Sequence, residues 1–267
     1  MKILAIIGSP RGKGNTYRTV RQAEECLRSL DSSLEMEYLF LKDAGLGTCK
    51  GCYLCFLKGE DSCPIKDGRA DIEKMMENAD GVIFATPVYA YNVSWIMKNF
   101  IDRFAYVCHR PRFHGKKAMI VATTGAVGLV FTTLTLGFEI GTWGFKVSSR
   151  LGVMHPAEEI RQEQRMRLEK KTISRTAKAC RKFHDDLTDK GKPDPGFISI
   201  LSFRLQKDAF SRKSKDLADY RYWKGKGWLE DDARYYCEAK SSLLKYPLAS
   251  LVAWIMSLMQ PEPSGEN

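Results

Sequence analysis

Glycines, hydroxyl groups and a cationic side chain follow the first apolar run of the chain. The run Ile-Leu-Ala-Ile-Ile at residues 3–7 suits a buried strand, Gly8 ends it, and a helical pattern starts at residue 17. A helix start presents unpaired N–H groups and a partial positive charge, and glycines let an anion approach the backbone. The stretch therefore predicts a phosphate-binding turn. Its candidate ligands are Ser9, Arg11, Gly14, Asn15 and Thr16.

The spacing of the glycines disfavours two common kinds of phosphate loop. Lys13 is followed by glycine rather than by the Ser or Thr of the nucleoside-triphosphate loop. Gly12 and Gly14 are followed by Tyr17 where a dinucleotide-binding turn needs a third glycine. A loop rich in hydroxyl and amide donors suits a single terminal phosphate, such as that of FMN. The alternative is an ordinary strand-to-helix turn that Thr16 caps.

Four cysteines form the second chemical pattern, with the spacing Cys-x2-Cys-x2-Cys-x7-Cys. Thiolates so spaced can converge on one iron–sulfur cluster, and the final Cys-Pro matches the end of ferredoxin motifs, although the last gap is longer. Four thiolates also suit a structural zinc ion, and thiols without a metal are the third alternative. The candidate metal ligands are Cys49, Cys52, Cys55 and Cys63.

Alternating apolar runs and amphipathic stretches surround both patterns. This alternation predicts an α/β fold whose parallel sheet is covered on both faces. In the helix predicted after the third strand, Trp95, Phe100, Ile101 and Phe104 are candidate core residues. The predicted strands cover residues 3–7, 34–41, 81–86, 117–124 and 146–153, and the predicted helices cover 17–30, 69–78, 94–107 and 157–187.

In a parallel sheet of this kind, ligands bind outside the carboxyl ends of the strands. Three loops should meet there, at residues 9–16, 87–92 and 123–128. The second loop offers aromatic and amide groups suited to flanking a flat ring, although ordinary packing also explains its tyrosines. The candidate ring contacts are Pro87, Val88, Tyr89 and Asn92 on one side, and Thr123, Thr124 and Gly125 at the far edge.

Two of these loops together resemble a known family. Gly8-Ser-Pro-Arg-x-x-Gly-Asn-Thr16 resembles the phosphate loop of the NADPH-dependent FMN reductases. Thr86-Pro-Val-Tyr89, followed by Lys98-Asn-Phe-Ile-Asp-Arg103, is similar to that family's second flavin loop and its helix. The resemblance covers roughly residues 1–155. It implies a flavodoxin-like, doubly wound sheet of five strands in the order 2-1-3-4-5, with FMN as cofactor, in a homodimer or homotetramer.

The cysteine stretch resembles that of the iron–sulfur flavoproteins, a branch of the same family. This resemblance implies that the four cysteines hold a [4Fe-4S] cluster beside the flavin. Because a flavin would carry the chemistry, no catalytic side chains are expected.

Charge and composition limit the kinds of binding partner and the compartment that we expect. The formal net charge is +10, but the basic residues are scattered among acidic ones, so a nucleic-acid partner is not expected. The first apolar run ends in a glycine loop rather than at a cleavage site, so we expect a cytoplasmic protein.

Two domains are expected, because the strand–helix alternation stops near residue 190. The first is a flavin-binding domain at 1–190, and the second is a mostly helical extension at 191–267. The last predicted helix, 248–259, is too short for a membrane span. Its apolar face is expected to contact a partner subunit rather than a membrane surface, and covering the sheet domain is the alternative that remains open. That face carries Leu248, Leu251, Val252, Ile255, Leu258 and Met259.

The sequence thus predicts an FMN-dependent oxidoreductase. It would take hydride from NAD(P)H and pass electrons to a small-molecule or protein acceptor. Two alternatives remain open at this point: an electron carrier between partner proteins, and a relative that has lost its flavin.

Overall fold

The strands of the described residues form one five-stranded parallel sheet. The computed structural model describes residues 1–156, 159–240 and 242–258. The strands are β1 (Lys2–Ile7), β2 (Glu35–Phe40), β3 (Gly81–Pro87), β4 (Lys117–Thr124) and β5 (Lys146–Met154). They lie in the order β2-β1-β3-β4-β5, and every neighbouring pair is parallel. The predicted flavodoxin-like class and strand order are confirmed.

Helices follow the strands along the chain. Those in the described residues are α1 (Asn15–Leu30), α2 (Leu54–Leu57), α3 (Arg69–Asn78), α4 (Trp95–Arg103), α5 (Leu129–Thr142), α6 (Gln162–Thr188), α7 (Phe197–Ser211), α8 (Ala218–Gly225) and α9 (Lys245–Leu258). The predicted start of the long helix, at 157–158, and the predicted last residue of the final helix, Met259, lie outside the described residues. Within the described part of the chain, no helix combines the length and apolar character that crossing a bilayer requires.

The chain divides into two compact units. The first comprises Met1–Gly51 and Pro64–Lys190, and the second comprises Cys52–Cys63 and Gly191–Asn267. The sheet and all three predicted flavin loops belong to the first unit. The second unit takes in most of the cysteine stretch together with the C-terminal helices.

Both faces of the sheet are covered by apolar side chains, as the alternation predicts. On one face, Ile3 and Ile83 pack in one buried cluster with Phe183 of α6. On the other face, the ring of Phe84 lies 6.4 Å from that of Phe100 on α4 and 6.3 Å from that of Trp143 after α5. The central strands are therefore buried on both sides, which explains their nearly continuous apolar sequences.

The prediction of a core position is wrong for one residue. Phe100, Ile101 and Phe104 are buried, but Trp95 is 64% exposed. Trp95 is the first residue of α4, and its N-cap, Ser94, is buried instead. The polar cap takes the inner position, so the indole of Trp95 points outward at the carboxyl edge of the sheet.

The second unit has a small aromatic core of its own. Phe203 stacks on Trp223 with ring centroids 5.5 Å apart, and Trp223 meets Trp228 edge-on at 5.1 Å. The last helix, α9, packs on α7 by its small residues: Ala249 is buried, and the Oγ of Ser250 accepts a hydrogen bond from Nε of Arg204 at 3.0 Å.

The predicted apolar face of α9 is largely exposed. About half of the surface of Leu248, Leu251 and Ile255 remains accessible in this chain.

Candidate functional site

The turn after β1 leaves the start of α1 open for an anion. Gly14 is the N-cap residue, no side chain caps the helix, and its first turn contains no acidic residue. Gly12 has φ of +64°, and its N–H donates to the carbonyl of Ser9 at 3.1 Å. The unpaired N–H groups of the first turn therefore face no competing carboxylate of their own helix, which favours a bound phosphate.

Two predicted ligands contact each other directly. Oγ1 of Thr16 on α1 lies 2.8 Å from Oγ1 of Thr123 at the end of β4, and both residues are buried. This hydrogen bond joins the phosphate turn to the third loop. Since each hydroxyl has one proton, one of the two still has its proton free for another acceptor.

A buried serine that the sequence analysis missed fixes the ends of β1 and β3. The hydroxyl of Ser94 donates to the carbonyl of Gly8, and its N–H donates to Oγ1 of Thr86 at 3.1 Å. The same hydroxyl accepts from the N–H of Met97 at 3.3 Å and so caps α4. A Ser directly before an apolar helix stretch is an N-cap signal, but nothing in the sequence shows that its hydroxyl also reaches the end of β1.

The second loop is a tight turn with a strained backbone. The N–H groups of Tyr89 and Asn92 each donate to the other residue's carbonyl at 2.9 Å, and Ala90 and Tyr91 between them have φ of +47° and +65°. Two consecutive left-handed residues make a type I′ turn, which favours Gly or Asn at both positions. The turn leaves the rings of Tyr89 and Tyr91 exposed.

The third loop packs tightly on the second. The N–H of Val88 donates to the carbonyl of Thr123 at 2.8 Å. Gly128 has φ of +96°, and a Cβ there would lie 2.7 Å from Cγ1 of Val88 and 3.3 Å from Cα of Tyr91. Oγ1 of Thr132 also donates to the carbonyl of Tyr91 at 3.2 Å. The two loops are therefore fixed relative to each other.

The predicted flavin residues differ in how they are held. Ser9, Thr16 and Thr123 are buried and joined to the framework, whereas Arg11, Asn15, Tyr89 and Gly125 are exposed. The side-chain oxygen of Asn92 accepts from the N–H of Val93 at 2.7 Å, so its amide NH₂ is the group left for a ligand. Oγ1 of Thr124 donates to the carbonyl of Val127 at 2.8 Å and shapes the third loop.

The family follows from the same part of the chain. A model of the family described as NADPH-dependent FMN reductase matches residues 1–136, which contain the three loops. The chain belongs to this family. Membership supports FMN as the cofactor, and the uncapped helix start and the carboxyl-edge loops fit its phosphate and ring.

Two curated proteins are also similar to part of this chain. An iron–sulfur flavoprotein of Archaeoglobus fulgidus is 36% identical over 129 residues, which are 48% of this chain and 56% of that protein. One of Methanocaldococcus jannaschii is 42% identical over 103 residues, 39% of this chain and 51% of that protein. The chain thus spans about half the length of these curated relatives.

Solved structures agree on the fold. An azoreductase of Bacillus anthracis has a TM-score of 0.53 and 12% identity, over 68% of this chain and 100% of that chain.

The cysteine stretch has the right donors for a metal ion. Cys49, Cys52, Cys55 and Cys63 are thiols rather than disulfides. The N–H of Cys49 donates to the side-chain oxygen of Asn99 on α4 at 3.0 Å. Across the described ranges, no three His, Cys, Asp or Glu side chains lie where they could hold a metal ion together. The four-thiol ligand set therefore stays a prediction from spacing, and we derive no step through a cluster.

A histidine that the sequence analysis did not single out joins β5 to α1. Nε2 of His155 lies 3.0 Å from Oγ1 of Thr19, and the N–H of His155 donates to the carbonyl of Thr124 at 2.8 Å. Partial burial lowers the pKa of His155 below its usual value, and the positive charge of Arg18 is a second, smaller cause. Folding therefore favours the neutral form of this imidazole.

This depressed pKa predicts acid sensitivity. Because the unfolded chain binds the proton more tightly, stability contributed by His155 is present above about pH 6.5 and is lost as pH falls through the lower folded pKa. We expect His155→Gln to show a smaller loss of stability between pH 7 and pH 5 than the unmodified protein, measured by urea unfolding. His184→Gln, on α6, is the control. An unchanged pH dependence in His155→Gln contradicts the prediction.

Proposed function

We propose that the protein is an FMN-dependent oxidoreductase that takes hydride from NADH or NADPH and passes electrons to an acceptor. The observation that carries the proposal is the meeting of three loops at one edge of the sheet, beside an uncapped helix start. When bound, FMN supplies the hydride and electron chemistry. The chain itself binds, orients and shields the cofactor.

Each loop has a role in this proposal. Ser9, Arg11, Asn15 and the first-turn N–H groups of α1 would hold the phosphate, with Thr16 fixed by Thr123. The strained turn would place the ring of Tyr89 and the amide of Asn92 beside the flavin ring. Thr124 and Gly125 would lie at the ring's far edge. Tight connections between the loops suit this task, because a bound ring needs a rigid site.

Exposed apolar residues next to these loops support the expected homo-oligomer. Five side chains on one side of α5 and the turn before it are more than half exposed, and no charged residue lies among them. A second copy of this chain is the partner proposed for that surface. The five residues are Val127, Val130, Phe131, Leu134 and Phe138.

A [4Fe-4S] cluster is a narrower part of the proposal. The relatives named iron–sulfur flavoproteins and the spacing of the four cysteines support it. With a cluster, the protein could be an electron carrier without NAD(P)H turnover, and its net charge of +10 would favour an acidic redox partner.

Anaerobic reduction separates these functions. Oxygen-free protein loaded with FMN is mixed with NADH or NADPH while the visible flavin absorbance is followed. Rapid bleaching is expected. Reduction by reduced ferredoxin but by neither nicotinamide would replace the enzyme with the carrier, and failure to bind FMN would overturn both. Iron, acid-labile sulfide and zinc measured on the same sample decide the metal question.

A further inference from the structure

A lysine from a neighbouring strand lies against the phosphate turn. Lys42 belongs to a short 3₁₀ turn, Leu41–Asp43, directly after β2. A Cβ placed on Gly12 would lie 2.6 Å from Cε of Lys42, 3.4 Å from its Cδ and 3.8 Å from its Nζ. The lysine stem therefore covers the open side of Gly12, and its ammonium group lies at the turn.

The ammonium group has a partner that it can exchange. Nζ of Lys42 lies 2.6 Å from Oδ1 of Asp43, the next residue in the chain. The Lys42 side chain is 39% exposed and that of Asp43 is 62% exposed. Ion pairs this exposed contribute little net stability, so a more highly charged anion can replace the carboxylate at small cost.

We propose that Lys42 is a phosphate ligand of the flavin site, and that Asp43 competes with the phosphate for it. The inference rests on the proposed function and concerns the same site. A phosphate monoester carries nearly two negative charges at neutral pH, so it attracts the ammonium group more strongly than one carboxylate does. Binding would transfer Lys42 from Asp43 to the phosphate.

The surroundings of the turn support this exchange. Arg11 and Lys13 on the turn are exposed cations, and Lys42 adds a third positive charge close by. Like charges repel until an anion binds among them. Asp43 offsets part of that repulsion in the empty turn, but it would repel a bound phosphate.

Two ligands that differ only in the phosphate test the assignment. FMN and riboflavin are titrated into the full chain after flavin removal by dialysis. Lys42→Met should weaken FMN binding about tenfold and leave riboflavin binding unchanged, because a lost charge-assisted contact has about this effect. Lys42→Arg should retain most of the affinity. The control is Lys2→Met, which removes a similarly exposed lysine, paired with Glu37 at 2.9 Å, from the amino edge of the sheet.

A second variant should act in the opposite direction. Asp43→Asn removes the competitor and should tighten FMN binding severalfold, again without changing riboflavin binding. A merely structural pair would weaken binding in both variants, and would do so for both ligands. Such a result, or equal FMN affinity in Lys42→Met and Lys2→Met, overturns the inference. If the unmodified chain binds neither ligand, it is the proposed function that fails.

Discussion

Replacing Glu73 with glutamine is expected to lower the free energy of unfolding by about 3–5 kcal/mol, because it breaks a buried ion-pair network. Oε2 of Glu73 accepts from Nη1 of Arg69 at 2.9 Å and from the hydroxyl of Tyr106 at 2.6 Å. Its Oε1 accepts from Nη1 of Arg112 at 2.6 Å. Glutamine replaces one of these two oxygens with an NH₂ group, which is a donor. That group would face an N–H or O–H donor with which it cannot form a hydrogen bond.

The charges around Tyr106 increase this effect. The guanidinium carbons of Arg69, Arg110 and Arg112 lie 5.1–5.3 Å from the centre of its ring. Burial and the carboxylate of Glu73 raise the pKa of Tyr106 well above its ordinary value, so the phenol stays a neutral donor. Removing the negative charge leaves the guanidinium groups close together with less to balance them.

Chemical unfolding of the two matched variants measures the difference. Glu163→Gln removes a carboxylate that pairs with Arg167 on the exposed side of α6, with both side chains more than 70% exposed. That variant should stay within about 0.5 kcal/mol of the unmodified protein. If Glu73→Gln is as stable as Glu163→Gln, the network does not contribute to stability as described.

Replacing Gly128 with alanine is expected to cost about 2–4 kcal/mol and to weaken FMN binding at least tenfold. The left-handed φ of +96° disfavours any Cβ, and that Cβ would lie 2.7 Å from Cγ1 of Val88. Valine is branched at Cβ and cannot turn its methyl group away freely. Either the second loop moves or the start of α5 does, and both change the site proposed for the flavin ring.

Gly141→Ala is the matched control for this prediction. Gly141 lies in the last turn of α5 and its backbone is not left-handed. Apart from its chain neighbours and the local helix backbone, no atom would lie within 4 Å of a Cβ at this position. Alanine there should leave FMN binding unchanged and raise stability slightly, because alanine favours the helix. Urea unfolding and FMN titration of both variants test the pair. Normal FMN affinity in Gly128→Ala would show that the flavin does not depend on this loop packing.

The sequence predicts the sheet well because its signals are local and repeated. The predicted bounds 117–124 and 69–78 agree with β4 and α3. Apolar runs between helical patterns suffice for that result. The prediction for Trp95 was wrong because periodicity reports which face of a helix is apolar, and the first residue of a helix lies where the N-cap decides the direction.

The site is less predictable because its parts are distant in the chain. The glycines and hydroxyl residues of each loop are visible in the sequence. The hydrogen bonds that bring the loops together are not, because Thr16–Thr123 joins residues 107 positions apart and Ser94–Gly8 joins residues 86 apart. The left-handed Ala90 and Tyr91 carry no sequence signal, since those residue types are unusual in such a turn. The sequence does not show the proximity of Lys42 to Gly12 either, because it arises only when β2 pairs beside β1 in the sheet.

The strand order also has a consequence for how the protein is made. β1 pairs with β2 through Ile3 and Met36, and with β3 through Ile3 and Gly81. Both partner strands come later in the chain, so β1 is synthesised before either of them. Translation from residue 7 to residue 87 takes roughly 4–16 s at 5–20 residues per second. β2 is synthesised early in that interval, but the other edge of β1 has no partner until β3 is made, so this apolar strand stays open to wrong pairing while the chain is still growing.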